Sequence, residues 1–285
     1  MTNKAVRVIN CEWPSNQFLN VAFEEALFRL ANEPTIRFWR NDKAIVIGRL
    51  QSPILEVNAI EAFHQGVKLV RRFTGGGAVY QDLGNVNYAI SLPGFKLSLE
   101  KSFKLVGEAV TESLKVLGVE GAYYRPLNDI EVGGLKISGL AATRSPLGLF
   151  VHGSMLVSTN TDILWRVLRI SKEKLADKKF TGSRVKRVIN LEEALGKAIN
   201  TTEIFRVIGE SISKRLNMQM KWDDCRQQEL ALAVELYRRR YSRADWNLAY
   251  TEELRALISE EEYQALQEIG KPSPEQEMVL ATLRV

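Results

Sequence analysis

Apolar residues recur at helical spacing through Phe18, Val21, Ala22, Ala26 and Leu30, behind a Ser15-Asn16 pair suited to capping the first turn, so residues 16–30 are expected to form a helix. Glu24 and Glu25 fall on or near the side opposite that stripe. Residues 6–10 read as a strand, and residues 35–40 and 44–47 as two more around an Asn41-Asp42 turn. A short helix is expected over 60–65, ending at Gly66, then a strand over 67–70, a glycine turn and a strand through 88–90. Phe103, Val106, Val110, Leu114 and Leu117 mark a long helix that closes at Gly118. A second strand cluster follows at 122–124, 129–132, 136–141 and 149–157, with Gly133-Gly134 as a hairpin turn. From Asp162 the pattern is mainly helical, near 162–169, 191–199, 202–216 and 226–240, with room for one or two more helices after 251. Strands with intervening helices, then helices alone, predict a mixed α/β (α+β) fold, sheets packed with helices, and a helical C-terminal tail.

Composition changes this picture little. The chain has 285 residues, 45% hydrophobic and 26% charged, which is ordinary for a globular protein. No apolar run is long enough to cross a bilayer, and the first residues lack the apolar core of a secretory signal, so the expectation is a cytoplasmic protein without a membrane partner. Cys11 and Cys225 stand far apart with no C-x-x-C pairing, which argues against a structural zinc site or a disulfide framework. His64 and His152 are the only histidines, so a histidine-rich metal site is not expected. A net charge of +5 gathers at 172–179, 184–187 and 238–240. Each cluster reads first as a solvated face and second as attraction to an acidic partner.

Chemistry concentrates in Arg71-Arg72-Phe73-Thr74-Gly75-Gly76-Gly77-Ala78-Val79-Tyr80-Gln81-Asp82. Successive glycines let main chain lie against a ligand, N–H groups bared in such a turn can point at an anion, and arginine supplies forked donors. Neither G-x-x-x-x-G-K-[ST] nor a strand-to-helix G-x-G-x-x-G is present, so this is not a P-loop or a dinucleotide turn. A second stretch, Asn128-Asp129 through Gly134-Leu135-Lys136-Ile137-Ser138-Gly139, places Lys136 between apolar neighbours. Alone it reads as a solvent-facing lysine; beside an anion it neutralises charge that builds in a transition state. His152, in Phe150-Val151-His152-Gly153-Ser154, reads equally well as a strand histidine satisfied by a main-chain carbonyl.

These motifs, in this order and spacing, resemble the catalytic domain of lipoate–protein ligases over residues 5 to 248, including Ser183-Arg184-Val185 and a closing Trp246-Asn247. The resemblance implies the biotin/lipoate ligase-like fold for residues 1–248, with 249–285 a short helical extension rather than a full accessory domain. It implies a two-step reaction: lipoate and ATP give lipoyl-AMP, and the acyl group passes to a lysine of a lipoyl carrier domain (a 2-oxoacid dehydrogenase E2, the glycine cleavage H protein or similar). On this chain it assigns ATP and adenylate binding to Arg72, Gly75, Gly76, Gly77, Ala78, Val79, Tyr80, Asn128, Asp129 and Lys136. Lipoate binding falls to Arg71, Lys136, Gly139, His152 and Gly153, catalysis to Lys136, and a magnesium contact to Asp129.

Transferases of the same fold carry an octanoyl or lipoyl group on a cysteine, and neither cysteine here lies in the motifs, which favours the adenylating ligase. The short extension predicts a catalytic subunit whose accessory domain is reduced or supplied by a separate polypeptide. A non-catalytic basic binding protein is the reading from another class; nucleic acid is not an expected partner.

Overall fold

The expected strands assemble into two sheets. A computed structural model of the chain describes residues 5–169 and 188–283. The larger sheet has eight strands: β1 (Ala5–Asn10), β2 (Thr35–Trp39), β6 (Asn85–Pro93), β7 (Ala122–Arg125), β8 (Asp129–Val132), β9 (Leu135–Ser145), β10 (Gly148–Leu156) and β11 (Gln219–Asp223). Their order is β11-β1-β2-β6-β10-β9-β8-β7. The smaller sheet sets β3 (Ala44–Ile47) between β4 (Lys68–Arg71) and β5 (Val79–Gln81). The two strands expected around Asn41-Asp42 therefore part company, β2 joining the large sheet and β3 the small one.

The central strand β6 explains how the layers form. Val86, Tyr88, Ile90 and Leu92 point into one core with the helices Leu99–Val116 and Thr201–Leu216, while Asn85, Asn87, Ala89 and Ser91 occupy the opposite face. Helix Gln17–Leu30, capped by the Asn16 side chain at Leu19 N, lies on that second side and is covered in turn by Gln227–Leu236. Being covered on both sides, the helix buries Glu24 and Glu25 although they lie off the apolar stripe. Burial of a carboxylate requires a partner. Glu24 meets His152, and Glu25 meets Arg240 at 2.8 Å and the hydroxyl of Tyr241. Arg240 accordingly turns inward from its basic cluster, while the clusters at 172–179 and 184–187, and Ser183-Arg184-Val185, lie outside the described residues.

Two further expectations need correction. Residues 219–223, read as lying among helices alone, form β11, a mostly exposed edge strand parallel to β1 with Ala5 opposite Gln219. Met220 and Trp222 do alternate with Gln219, Lys221 and Asp223, but five residues between two helices are too short a run to stand out from them. The same pairing brings the two strand ends together, so that Cys11 and Cys225, 214 residues apart in sequence, have Cα atoms 6.2 Å apart and pair as a disulfide. The double variant C11A/C225A is expected to lose about 2–4 kcal/mol in denaturant unfolding with its activity retained. Activity lost together with stability would show that the cross-link holds the site as well as the fold. The extension after 249 is packed onto the rest: Leu266 and Ile269 share a core with Ile45, Ile47 and Leu69.

Candidate active site

Because β4 and β5 flank β3, the glycine turn between them must cross the end of β3. Arg72 N donates to Ile47 O and Arg49 N to Thr74 O, which ties the crossing down at its start. Its tip, Gly75–Gly77, is exposed, with Gly76 at φ +91°, a conformation that favours glycine. Among the described residues, no acceptor takes the main-chain N–H groups of Gly75, Gly76 or Gly77.

The two arginines before the turn divide their work. Arg71 is fully buried, and its guanidinium donates to the carbonyls of Gly48, Arg49, Gln51, Trp246, Asn247 and Ala249 at 2.6–3.2 Å. It lines no part of the cavity described below, so the structure gives it a different place from the lipoate contact expected of it; its bonds anchor the Trp246-Asn247 segment to β4. Arg72 reaches the cavity wall. It donates to Val46 O, Thr74 Oγ1, Gly75 O and Gly77 O, holding the turn in shape. With no carboxylate among these partners, burial pushes its pKa down to about 10, and Glu24 opposes the shift.

Beneath the turn is a cavity of about 550 Å³, a size usual for small-molecule sites. Arg72, Gly77, Ala78, Val79, Tyr80, Asn128, Asp129, Lys136, Gly139, His152 and Gly153 all line it, so most of the residues singled out in the sequence converge there. Gly75 and Gly76 stay at the exposed rim. Gly153 contributes main chain only: a Cβ there would lie 2.5 Å from the Tyr88 ring, so its missing side chain makes room for the core instead.

The floor of the cavity is one face of the large sheet. Trp39, Asn87, Ser154, Gly139 and Asp129 are successive cross-strand partners on β2, β6, β10, β9 and β8, forming a single row. At the β8–β9 end, Lys136 Nζ lies 2.7 Å from Asp129 Oδ1. A register shift at Ile130/Glu131 places Lys136 there, and Gly139 leaves the space its stem uses, since a Cβ at 139 would sit 2.6 Å from Nζ. Asn128 Nδ2 donates to Leu140 O, fixing the approach to β8. Gly133 and Gly134, at φ +58° and +80°, make the expected hairpin turn between these strands.

His152 has more than a main-chain carbonyl. Its Nδ1 is 2.7 Å from Glu24 Oε1 and its Nε2 is 2.8 Å from Thr74 Oγ1, which also accepts from Arg72 Nε. A continuous chain, Glu24–His152–Thr74–Arg72, thus links the first helix to the glycine turn. Glu24, Thr74, Trp39 and Asn87 are site residues that the sequence reading missed. The available signal was polar residues alternating with apolar ones in strands that prove wholly buried, as in Asn85-Val86-Asn87-Tyr88. Among the described residues there is no cluster of three or more His, Cys, Asp or Glu able to hold a metal by itself.

Comparison with known proteins places this arrangement. The family model for the lipoyl protein ligase A/B catalytic domain matches residues 16–213. Lipoate-protein ligase A subunit 1 of Thermoplasma acidophilum is 32% identical over 257 residues, covering 85% of this chain and 96% of the relative. A solved structure of a bipartite lipoate protein ligase with its E2 lipoyl domain, from the same organism, superposes with a TM-score of 0.77 at 29% identity, over 86% of this chain and 96% of the other. A lipoate-protein ligase A bound with ATP gives a TM-score of 0.75 at 29% identity, over 86% and 98%. With the family model spanning most of its length and a relative matched almost end to end, the chain belongs to the lipoate–protein ligase family.

Proposed function

We propose that the chain activates lipoate with ATP to lipoyl-AMP and passes the lipoyl group to a lysine of a lipoyl carrier domain. The observation that carries this reading is the meeting, across one cavity, of the Lys136 ammonium and the Gly77 end of a glycine turn whose N–H groups have no acceptor among the described residues. A carboxylate attacking a phosphate meets like-charge repulsion, and fixed positive groups must offset it. Lys136 stands where it can touch the acid's carboxylate and the α-phosphate together, while Gly75–Gly77 and Arg72 hold the nucleotide side. The carboxylate oxygen bonds to the α-phosphorus and pyrophosphate leaves. The carrier amine then bonds to the acyl carbon, the bond to AMP breaks, and the amine proton goes to solvent.

Magnesium would fit this site only as an ion shared with the substrate: Asp129 supplies one carboxylate, and such ions usually take the rest of their shell from phosphates and water. When bound, it would neutralise phosphate charge. The relative's name, a first subunit, and the bipartite character of the similar structure support a second polypeptide taking part. Among the described residues both cysteines are paired and neither lines the cavity, which supports adenylation over an acyl-cysteine route.

Mass spectrometry of the chain with Mg-ATP and lipoate tests the proposal. A retained lipoyl-adenylate is expected; an acyl-cysteine adduct, or no adenylate with or without a second subunit, overturns it. G139A, which forces the Lys136 ammonium aside, is expected to lower acid-dependent pyrophosphate release about tenfold to a hundredfold with folding unchanged.

A further inference from the structure

At the far end of the floor from Lys136, Asn87 is fully buried, and neither its Oδ1 nor its Nδ2 has a hydrogen-bond partner among the described residues. Trp39, its cross-strand partner, is 3% exposed, and its Nε1 is likewise without a partner. The Arg37 guanidinium lies 4.6 Å from the centre of the indole, a cation–π contact that favours this orientation. Both side chains line the cavity. Buried polar groups are almost always paired, and two unpaired neighbours facing one cavity point to a group brought in by the ligand.

Position says which part of the ligand. Asn87 is two strands from Gly139, the residue against which Lys136 Nζ lies, a span of roughly 10 Å at usual strand spacing. An extended eight-carbon acid with its carboxylate at Lys136 covers roughly 9 Å from ordinary C–C bond lengths. Its sixth to eighth carbons therefore come beside Asn87 and Trp39.

We infer that Asn87, with Trp39, selects an acyl acid bearing a hydrogen-bonding heteroatom near its far end, such as a dithiolane sulfur or a hydroxyl, over a plain alkyl acid of equal length. The inference rests on the ligase reading for the placement of the carboxylate. The N–H groups of Nδ2 and Nε1 donate to that heteroatom, and Oδ1 accepts where it carries a hydrogen. An alkyl tail leaves all three polar atoms buried and unpaired, and a site built to hydrogen-bond discriminates strongly against a ligand that cannot.

The test is calorimetric binding of lipoate, 8-hydroxyoctanoate and octanoate to the full chain without nucleotide, for wild type, N87L and W39F. Wild type is expected to bind the two heteroatom acids about tenfold or more tighter than octanoate. N87L should tighten octanoate and loosen 8-hydroxyoctanoate, collapsing the ratio, and W39F should narrow it partway. If N87L fails to fold, as read by circular dichroism, W39F decides. An unchanged ratio in the folded variants, or equal affinities in wild type, overturns the inference. Discrimination without any adenylate formed on adding ATP, with or without a second subunit, would instead sink the ligase reading and leave this one standing.

Discussion

K136Q is expected to lower acid-dependent pyrophosphate release by roughly 10²–10³-fold, the range found when one fixed donor is removed from a developing negative charge. Glutamine keeps most of the length and a donor but removes the charge, so the loss isolates the electrostatic part. The effect should fall mainly on kcat, since the repulsion between carboxylate and phosphate is greatest as they approach. Supplying preformed lipoyl-adenylate should restore most of the transfer to a carrier, because the anhydride is already activated and the charge problem has passed. Without a ligand, Lys136 contacts Asp129 Oδ1 at 2.7 Å. Activity within threefold of wild type in K136Q would remove the cationic cradle from the account.

The second large effect is on stability. R71M is expected to cost at least about 3 kcal/mol: of the six carbonyls that it bonds, Gly48 O and Trp246 O keep the N–H groups of Gln51 and Ala249, but those of Arg49, Gln51, Asn247 and Ala249 lose their partner, and buried acceptors left unpaired each cost about 1–3 kcal/mol. Those carbonyls belong to residues 48–51 and 246–249, so the variant should also loosen the closing segment from β4 and speed proteolysis within it. Lipoate affinity of the folded fraction should stay near that of wild type. A variant that unfolds at the wild-type denaturant concentration but no longer binds acid would restore Arg71 to the ligand and refute this structural role. Burial already pushes the Arg71 pKa down to about 10, a sign that the cation is held by carbonyl dipoles and not by a carboxylate.

The contrast between Arg71 and Arg72 shows where reading a sequence stops. Both stand before the glycines, and nothing local separates them. On a strand, neighbouring side chains point to opposite faces, so one guanidinium enters the core and the other leaves β4 to brace the turn. Glu24 and Glu25 were similarly indistinguishable from solvated helix residues until His152, Tyr241 and Arg240 arrived from 128 to 216 residues away. The cysteine pair and β11 were missed for the same reason. The alternation of Met220 and Trp222 is short, and nothing in it names a partner strand at the other end of the chain.

The amino-acid order by itself determined most of the elements, the strand-and-helix class and the two motif stretches, because periodicity, caps and glycine turns are properties of a few consecutive residues. It also determined the family, since four spaced motifs survive without knowledge of their contacts. Only the tertiary structure decided which charges are buried, which cysteines meet, and that Trp39, Asn87, Ser154, Gly139 and Asp129 form one floor. Cross-strand rows join residues by register rather than by chain proximity, and register is set by the whole sheet.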